Sequence, residues 1–353
     1  MTTPSNPDKE PPLRGVLIGA GFFAGFHAEA WRRTPGAALV GVADLDAARA
    51  RAFAERHGVA ESSDDVEDLL HRLRPDFVDL ATRPDVRLPI VALAARLQIP
   101  VLCQKPLADT WQQARRLVGL CEEAGTRLIV HENWRFQPWF RECARLVQDG
   151  AVGQPLVVSF RMRTGDGRGE QPYAVQPYFR TMKRFLIHET CVHFIDTFRF
   201  LMGEIVEVSC RVARFNPRIT GEDATWIHLC FSSGARGHID ANRLTGPHPA
   251  PVAFGETRIE GESGTLRIDG EGRIWIGGAG GAPESLHSWS APAEGYKGDS
   301  VRAFQEHAIA ALRGGAPAET EGNDYLNSVA AVFACYRSAE ENRVVSPGEI
   351  WDT

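Results

Sequence analysis

Short apolar runs recur along the first third of the chain, each separated from the next by a helix-length amphipathic stretch. The first run, Val16-Leu17-Ile18, is too short for a helix and ends on glycines. A helical pattern then continues to Arg33, and a second apolar run stops at Asp44. Further strands are predicted near Val59 and over 77–81, 101–103 and 127–130. Helices are predicted from an Asp46 cap to about 57, over 64–73 and 88–97, and from a Thr110 cap to about 124. Strands alternating with helices of this length make a parallel, doubly wound sheet, so 13–133 reads as an α/β Rossmann domain. Residues 1–12 are polar and Pro-rich and read as a disordered leader.

Past about 135 the period changes. A helix over 139–148 ends at Gly150, and longer alternating strands follow over 156–163, 205–215, 225–231, 237–243, 257–260, 265–268 and 274–276. One helix over 189–201 interrupts them, and helices over 299–312 and 325–341 close the chain. This grammar predicts an α+β domain over 134–353 with a large, mostly antiparallel open sheet, for substrate binding and oligomerisation.

In doubly wound sheets, ligands sit beyond the carboxyl ends of the strands. The residues that follow β-type runs therefore carry the candidate chemistry. After the first run comes Gly19-Ala20-Gly21-Phe22-Phe23-Ala24. Gly19 permits a tight turn, Gly21 lets the backbone approach a pyrophosphate, and Ala24 lets the helix pack close to the strand. The helix N-terminus adds unpaired N–H groups and a positive dipole end. Asp44, at the tip of the second strand, is placed to accept the ribose hydroxyls. A glycine turn alone also occurs in other α/β domains; the strand before it, the helix after it and the acid beyond make it a dinucleotide site. Asp44 would repel a 2′-phosphate and is followed by Leu45-Asp46, which favours NAD over NADP, although Arg49 or Arg51 could swing in.

Composition narrows the picture further. The chain has 353 residues, 43% hydrophobic and 24% charged, enough for two domains with cores. A formal charge of −6 leaves no basic footprint for nucleic acid. No apolar run approaches the ~18 residues of a membrane span. The seven cysteines are scattered without a C-x-x-C pair, as in a cytoplasmic protein with reduced thiols rather than disulfides or zinc. Lysine is scarce: Lys9, Lys105, Lys183 and Lys297 are the only four among 39 Lys and Arg. A lysine set between a strand and a proline, as Lys105 is, therefore stands out from surface charge. Pro106 biases Lys105 to an extended conformation.

The segments GAGFFAGFH (19–27), ATRPD (81–85), VLCQKPLA (101–108), ENWRF (132–136) and HETCVHFIDTFRFLMGE (188–204), with GNDYLNSV and YRSAEENR near the end, occur in this order. Together they resemble the Gfo/Idh/MocA oxidoreductases over nearly the whole chain, and within them the sugar-dehydrogenase branch that includes D-apiose dehydrogenases. The resemblance implies an NAD-dependent oxidoreductase acting on a sugar, polyol or cyclic sugar derivative. It makes Lys105 the group that stabilises the developing alkoxide and His193 the general base. Glu189, four residues before His193, would orient it or bind a substrate hydroxyl. An isolated histidine on a helix face is more often structural; the Glu189 spacing argues for chemistry.

Three departures from the family pattern stand out: Gln104 replaces the usual Glu before the lysine, Glu189 replaces the usual Asp, and Arg87 occupies a slot that is often His. Only Thr82 and Pro84 of that segment are therefore assigned to the cofactor, with Gln104, Lys105 and Asn133. Substrate candidates are Trp134, as a sugar-stacking platform or as packing, Arg135, Arg163, Tyr178 and His188. Asp196 reads equally as a solvated helix residue. The long loop 164–184 carries Asp166, Arg168, Gln176, Tyr178, Arg180 and Lys183, which suit a carboxylated sugar or an oligomer contact. Glu189, His193 and His188 invite a zinc reading, but family members work without metal. A homodimer or homotetramer through the second-domain sheet is expected. Two other readings stay open: a redox-cycling or glycoside-cleaving enzyme that retains its NAD(P), and a non-catalytic NAD(H)-binding sensor, against which the retained Lys105 argues.

Overall fold

The computed structural model describes residues 11–292 and 294–353. The expected leader lies, up to residue 10, outside the described residues. The chain divides into two compact units: the described residues up to Phe136 together with Pro292–Leu326, and Gln137–Ala291 together with Asn327–Thr353.

In the first unit, β1 (Leu13–Ile18), α1 (Ala24–Arg33), β2 (Ala37–Ala43), α2 (Ala47–His57), β3 (Glu61–Ser63), α3 (Val66–Leu73), β4 (Phe77–Leu80), α4 (Arg87–Arg96), β5 (Val101–Gln104), α5 (Trp111–Glu123) and β6 (Leu128–His131) alternate as the apolar pattern requires. Every pairing is parallel, in the order β3-β2-β1-β4-β5-β6. The order reverses between β1 and β4, the switch point at which such sheets bind ligands. Asp46, Asp65 and Thr110 cap α2, α3 and α5 through their side chains. The third strand starts later than predicted: Gly58 ends α2 in the left-handed region and the Val59 N–H turns back to Ala54 O.

The second unit contains α6 (Pro138–Gln148), β7 (Pro155–Arg163), a π-helical turn (Leu186–Cys191), α7 (Val192–Met202), β8 (Ile205–Ala213), β9 (Ala224–Phe231), β10 (Arg236–Asn242), β11 (Gly255–Gly261), β12 (Gly264–Ile268), β13 (Ile274–Gly278) and β14 (Ser285–Leu286). These eight strands form one sheet, antiparallel except where β7 pairs with β10. Helix α7 covers its inner face, with Phe194 stacked on Phe160 at 3.6 Å between centroids. The predicted single helix over 189–201 is really two elements. Glu222, from the loop between β8 and β9, accepts hydrogen bonds from the Phe185 and Ile187 N–H groups and from the Tyr336 hydroxyl. That carboxylate caps the π-helical turn and makes it a separate start before α7. The strand β14 has only two exposed residues and left no pattern to read.

The last helices are α8 (Ser300–Gly314), α9 (Gly322–Glu341) and α10 (Gly348–Trp351). The sequence-based division placed all of them in the second domain. Helix α8 instead belongs to the first unit, because Phe304, Ala308 and Ile309 share a core with Trp31, Phe77, Leu102 and Ile129. Arg33 on α1 adds a two-point ion pair to Asp299 at the start of α8.

Two buried imidazoles lie within this core. His27 Nδ1 lies 2.8 Å from Asp79 on β4, which also accepts from Trp31 Nε1 at 2.6 Å. The His131 ring stacks on His27 at 4.1 Å and packs on Phe304. Burial, with His27 adding to it, pushes His131 well below its ordinary value of 6.5. The folded chain thus keeps His131 neutral where the unfolded chain protonates it. Stability is present above about pH 6.5 and is lost as pH falls below it, with a slope of up to ~1.4 kcal/mol per pH unit from this group. His131→Phe is expected to flatten the dependence of unfolding free energy on pH between about 5 and 6.5 by that amount. Urea titrations across the range would show it, and an unchanged slope would contradict it.

Candidate active site

The first set of candidates surrounds the end of β1. Gly19 has φ of +100°, and a Cβ there would lie 2.8 Å from the Ala81 carbonyl oxygen, so both backbone and space demand glycine. The bend delivers the Ala20 N–H to Asp44 Oδ2 at 2.9 Å, while Asp44 Oδ1 accepts from Asp46 N–H at 3.0 Å. Asp44 is thereby fixed at the tip of β2 before any ligand arrives. Arg49 lies 3.2 Å from Asp44 Oδ1, paired with the acid. At Gly21 a Cβ would meet nothing within 4 Å. No feature of the fold demands glycine there, whereas a diphosphate approaching the backbone would. The N-cap of α1, Phe23, offers no side-chain hydrogen bond to the first turn, and Phe22 is exposed beside it. Beyond β4, Thr82 Oγ1 is buried without a hydrogen bond, as is Asn133 Oδ1 beyond β6. These features together fit a dinucleotide.

Pro84 opens a short 3-10 turn, Pro84–Val86, which leads into α4. Arg87 follows, and it is 1% exposed. Its guanidinium donates to three backbone carbonyls, those of Thr82 (2.5 Å), Leu107 (3.1 Å) and Pro106. It thus staples the segment after β4 to the segment after β5. That second segment holds the half-buried Lys105, whose N–H donates to Gln104 Oε1 at 2.9 Å, and its Lys105–Pro106 bond is cis. Sequence reading noted Arg87 only as a departure. Its signal, a lone cation opening an apolar helix, was indistinguishable from surface charge in an Arg-rich chain.

Asn133 donates to Ser300 Oγ at 2.7 Å. Trp134 is 1% exposed and its backbone N–H donates to Glu132 Oε1 at 3.0 Å. Arg135 is buried too and donates to the Glu319 carbonyl.

The second set lies in the second unit. His193 is buried in the first turn of α7, and Glu189 sits in the π-helical turn before it. Single-turn π segments are frequent at functional sites. The His188 N–H donates to the Tyr336 hydroxyl at 3.1 Å, and burial together with Glu222 raises the Tyr336 phenol well above its ordinary value. Asp196 is fully buried and accepts from Ser328 Oγ at 2.8 Å, so it is not a solvated helix residue. Glu189 accepts from Thr190 Oγ1 at 2.6 Å and faces Arg243 at 3.7 Å. Arg163 is not with this group. Strand alternation puts it on the sheet face opposite Phe160 and α7, where it pairs with Asp240. Tyr178 is 40% exposed on the loop and accepts from Gln176 at 3.1 Å. Glu222, Tyr336 and Arg243 carry no local motif that marks them, because their partners are remote in sequence.

Among the described residues, no group of three or more His, Cys, Asp or Glu is arranged to hold a metal ion, and no helix is long and apolar enough to cross a membrane. A family model for an oxidoreductase family with an NAD-binding Rossmann fold matches residues 13–132, and one for the GFO/IDH/MocA C-terminal domain matches 140–267. The chain is 36% identical to a D-apiose dehydrogenase of Paraburkholderia graminis, over 94% of this chain and 89% of that one. It is 33% identical to a D-apiose dehydrogenase of Rhizobium rhizogenes, over 95% and 98%. It is also similar to the solved structure of an oxidoreductase from Agrobacterium radiobacter in complex with NAD+, L-tartaric acid and magnesium. That structure superposes with a TM-score of 0.86 at 32% identity, covering 96% of this chain and 99% of that one.

The two turn glycines separate fold from ligand. Gly19→Ala is expected to cost about 2 kcal/mol or more in unfolding free energy, from a strained φ and a backbone clash. Gly21→Ala should change stability by no more than about 0.5 kcal/mol yet weaken NAD binding roughly tenfold or more, because its methyl meets only the ligand. Chemical denaturation and NAD titration of both variants would check the pair.

Proposed function

The chain belongs to the Gfo/Idh/MocA oxidoreductases and binds NAD in its Rossmann domain, and from that premise we propose that it oxidises a hydroxyl of a sugar, polyol or cyclic sugar derivative. The observation that carries the reading is the prebuilt glycine turn, with Asp44 already fixed to receive ribose hydroxyls, in a chain similar over most of its length to D-apiose dehydrogenases. D-Apiose and related branched or cyclic sugars are accordingly the first substrates to try.

When bound, NAD supplies the hydride acceptor. The chain's own residues handle the proton and the charge. His193 takes the hydroxyl proton as general base. The Lys105 ammonium hydrogen-bonds the same oxygen and stabilises the alkoxide as the carbinol hydrogen leaves. Glu189 orients His193 or holds a neighbouring hydroxyl. The cofactor contacts are Gly19, Gly21, Phe22, Phe23, Ala24, Asp44, Thr82, Pro84, Gln104, Lys105 and Asn133. His188 and Tyr178 remain substrate candidates. The outer face of the eight-stranded sheet, which carries Trp226 and His228, serves a homodimer or homotetramer.

Lys105→Ala and His193→Ala are each expected to lower kcat by about 10²–10⁴-fold, with NAD affinity kept within a few-fold. Formation of reduced cofactor on a panel of apiose, other aldoses, polyols and sugar acids would measure this. Tight NADH binding with no turnover on the whole panel would replace the enzyme by a sensor. Turnover without added NAD, by protein that keeps its cofactor through gel filtration, would replace it by a redox-cycling enzyme.

A further inference from the structure

One side chain that holds the loop 164–184 also reaches Glu189. Arg243 follows β10 and is buried. One edge of its guanidinium, Nε and one terminal nitrogen, is taken by the two carboxylate oxygens of Asp166. The other terminal nitrogen donates to Thr190 Oγ1 at 3.1 Å and lies 3.7 Å from Glu189 Oε2. Thr190 Oγ1 in turn donates to Glu189 at 2.6 Å. The rings of Tyr173, Phe179 and Phe185 stand 4.9, 5.2 and 5.4 Å from the guanidinium carbon. The loop thus supplies both a carboxylate and two of the rings that keep water from the cation.

The backbone follows the same arrangement. The Gly167 N–H donates to the Arg243 carbonyl at 2.8 Å, and the Tyr173 N–H to the Asp166 carbonyl at 2.9 Å. A Cβ at Gly167 would lie 2.6 Å from the Tyr173 hydroxyl, so the loop closes on Arg243 with no room to spare. Asn216 Nδ2 holds the Gly167 and Gly169 carbonyls from the other side. A planar fork has fixed angles between its donors. An acid on one edge therefore sets the direction of the donors on the next edge.

We propose that Arg243 is a positioning residue that couples the loop 164–184 to the π-helical turn carrying His188 and Glu189, with Asp166 as the loop's half of the coupling. The consequence for catalysis rests on the reading of Glu189 as part of the reacting site. The docked loop contributes to the working orientation of Glu189 through Arg243, so a substrate that displaces or settles the loop is sensed at the acid beside the general base.

Hydrogen exchange read by mass spectrometry on the full chain tests the coupling without any substrate. Asp166→Asn keeps the shape of the side chain and removes its charge. It is expected to speed exchange about tenfold or more both in 164–173 and in 186–191, with NAD affinity unchanged. Faster exchange confined to 164–173 would overturn the proposal. Arg243→Lys, a point charge in place of a fork, is the second variant should the first fail to fold, and the same two segments should respond. Kinetics then test the link to Glu189. Asp166→Asn is expected to lower kcat/KM for the sugar about tenfold in the otherwise natural chain and to cost nothing further in Glu189→Gln. Additive losses would show that Asp166 acts by another route. Absence of sugar turnover in the natural chain would instead sink the dehydrogenase reading, leaving the exchange experiment to decide the coupling on its own.

Discussion

The bend at Gly19 is the constraint on which the nucleotide-binding unit depends. The chain leaves β1 with φ at +100° and passes so close to Ala81 that a methyl group has no place. The bend starts α1 above the end of the sheet, and it supplies the backbone N–H that fixes Asp44. Several buried contacts then hold α1 where the bend puts it. Asp79, on the strand beside β1, takes hydrogen bonds from His27 and Trp31 on successive turns of α1. Arg33, at the far end of the helix, is pinned to Glu29 and Asp299. An unpaired carboxylate buried like Asp79 would be expensive, so breaking its partners should cost several kcal/mol.

A second regularity runs through both units. The segments after β4 and β5 and the π-helical turn are held by buried charged side chains that do not themselves belong to the candidate reacting set. Arg87 ties the segments after β4 and β5 together through three carbonyls. Glu222 caps the π-helical turn through two backbone N–H groups and the Tyr336 hydroxyl. Arg243 joins Asp166 to the neighbourhood of Glu189. Reacting groups must be placed within a fraction of an ångström to be effective, and buried charges held by several hydrogen bonds are stiff supports for that purpose.

The sequence made the first unit legible because its signals are local. A strand-length run, a glycine turn and a helical period lie within one stretch, and Asp46 and Thr110 announce their helices by position. The supports were hidden because their partners are remote in sequence. Residues 189–201 read as one continuous helix, so nothing in them marks the π-helical turn that Glu222 imposes. Arg87 and Arg243 look like any other cation in a chain rich in arginine. Nothing in the strand that carries Arg163 tells which of its faces α7 covers. Helix α8 advertised an apolar stripe without naming what it would bury it against, and Phe304 met Trp31 and Phe77 rather than the second sheet. The same holds for Trp134, whose aromatic surface suits a sugar and a core equally well.

We propose that Asp44, held by the glycine turn, reads the ribose of NAD. Calorimetric titration of NAD and NADP into the natural chain and Asp44→Ala decides this. The expected result is NAD binding at least about tenfold tighter than NADP in the natural chain, with most of that preference gone in the variant, where Arg49 no longer has Asp44 to pair with. Equal affinity for the two cofactors in the natural chain, or a preference that survives Asp44→Ala, would contradict it.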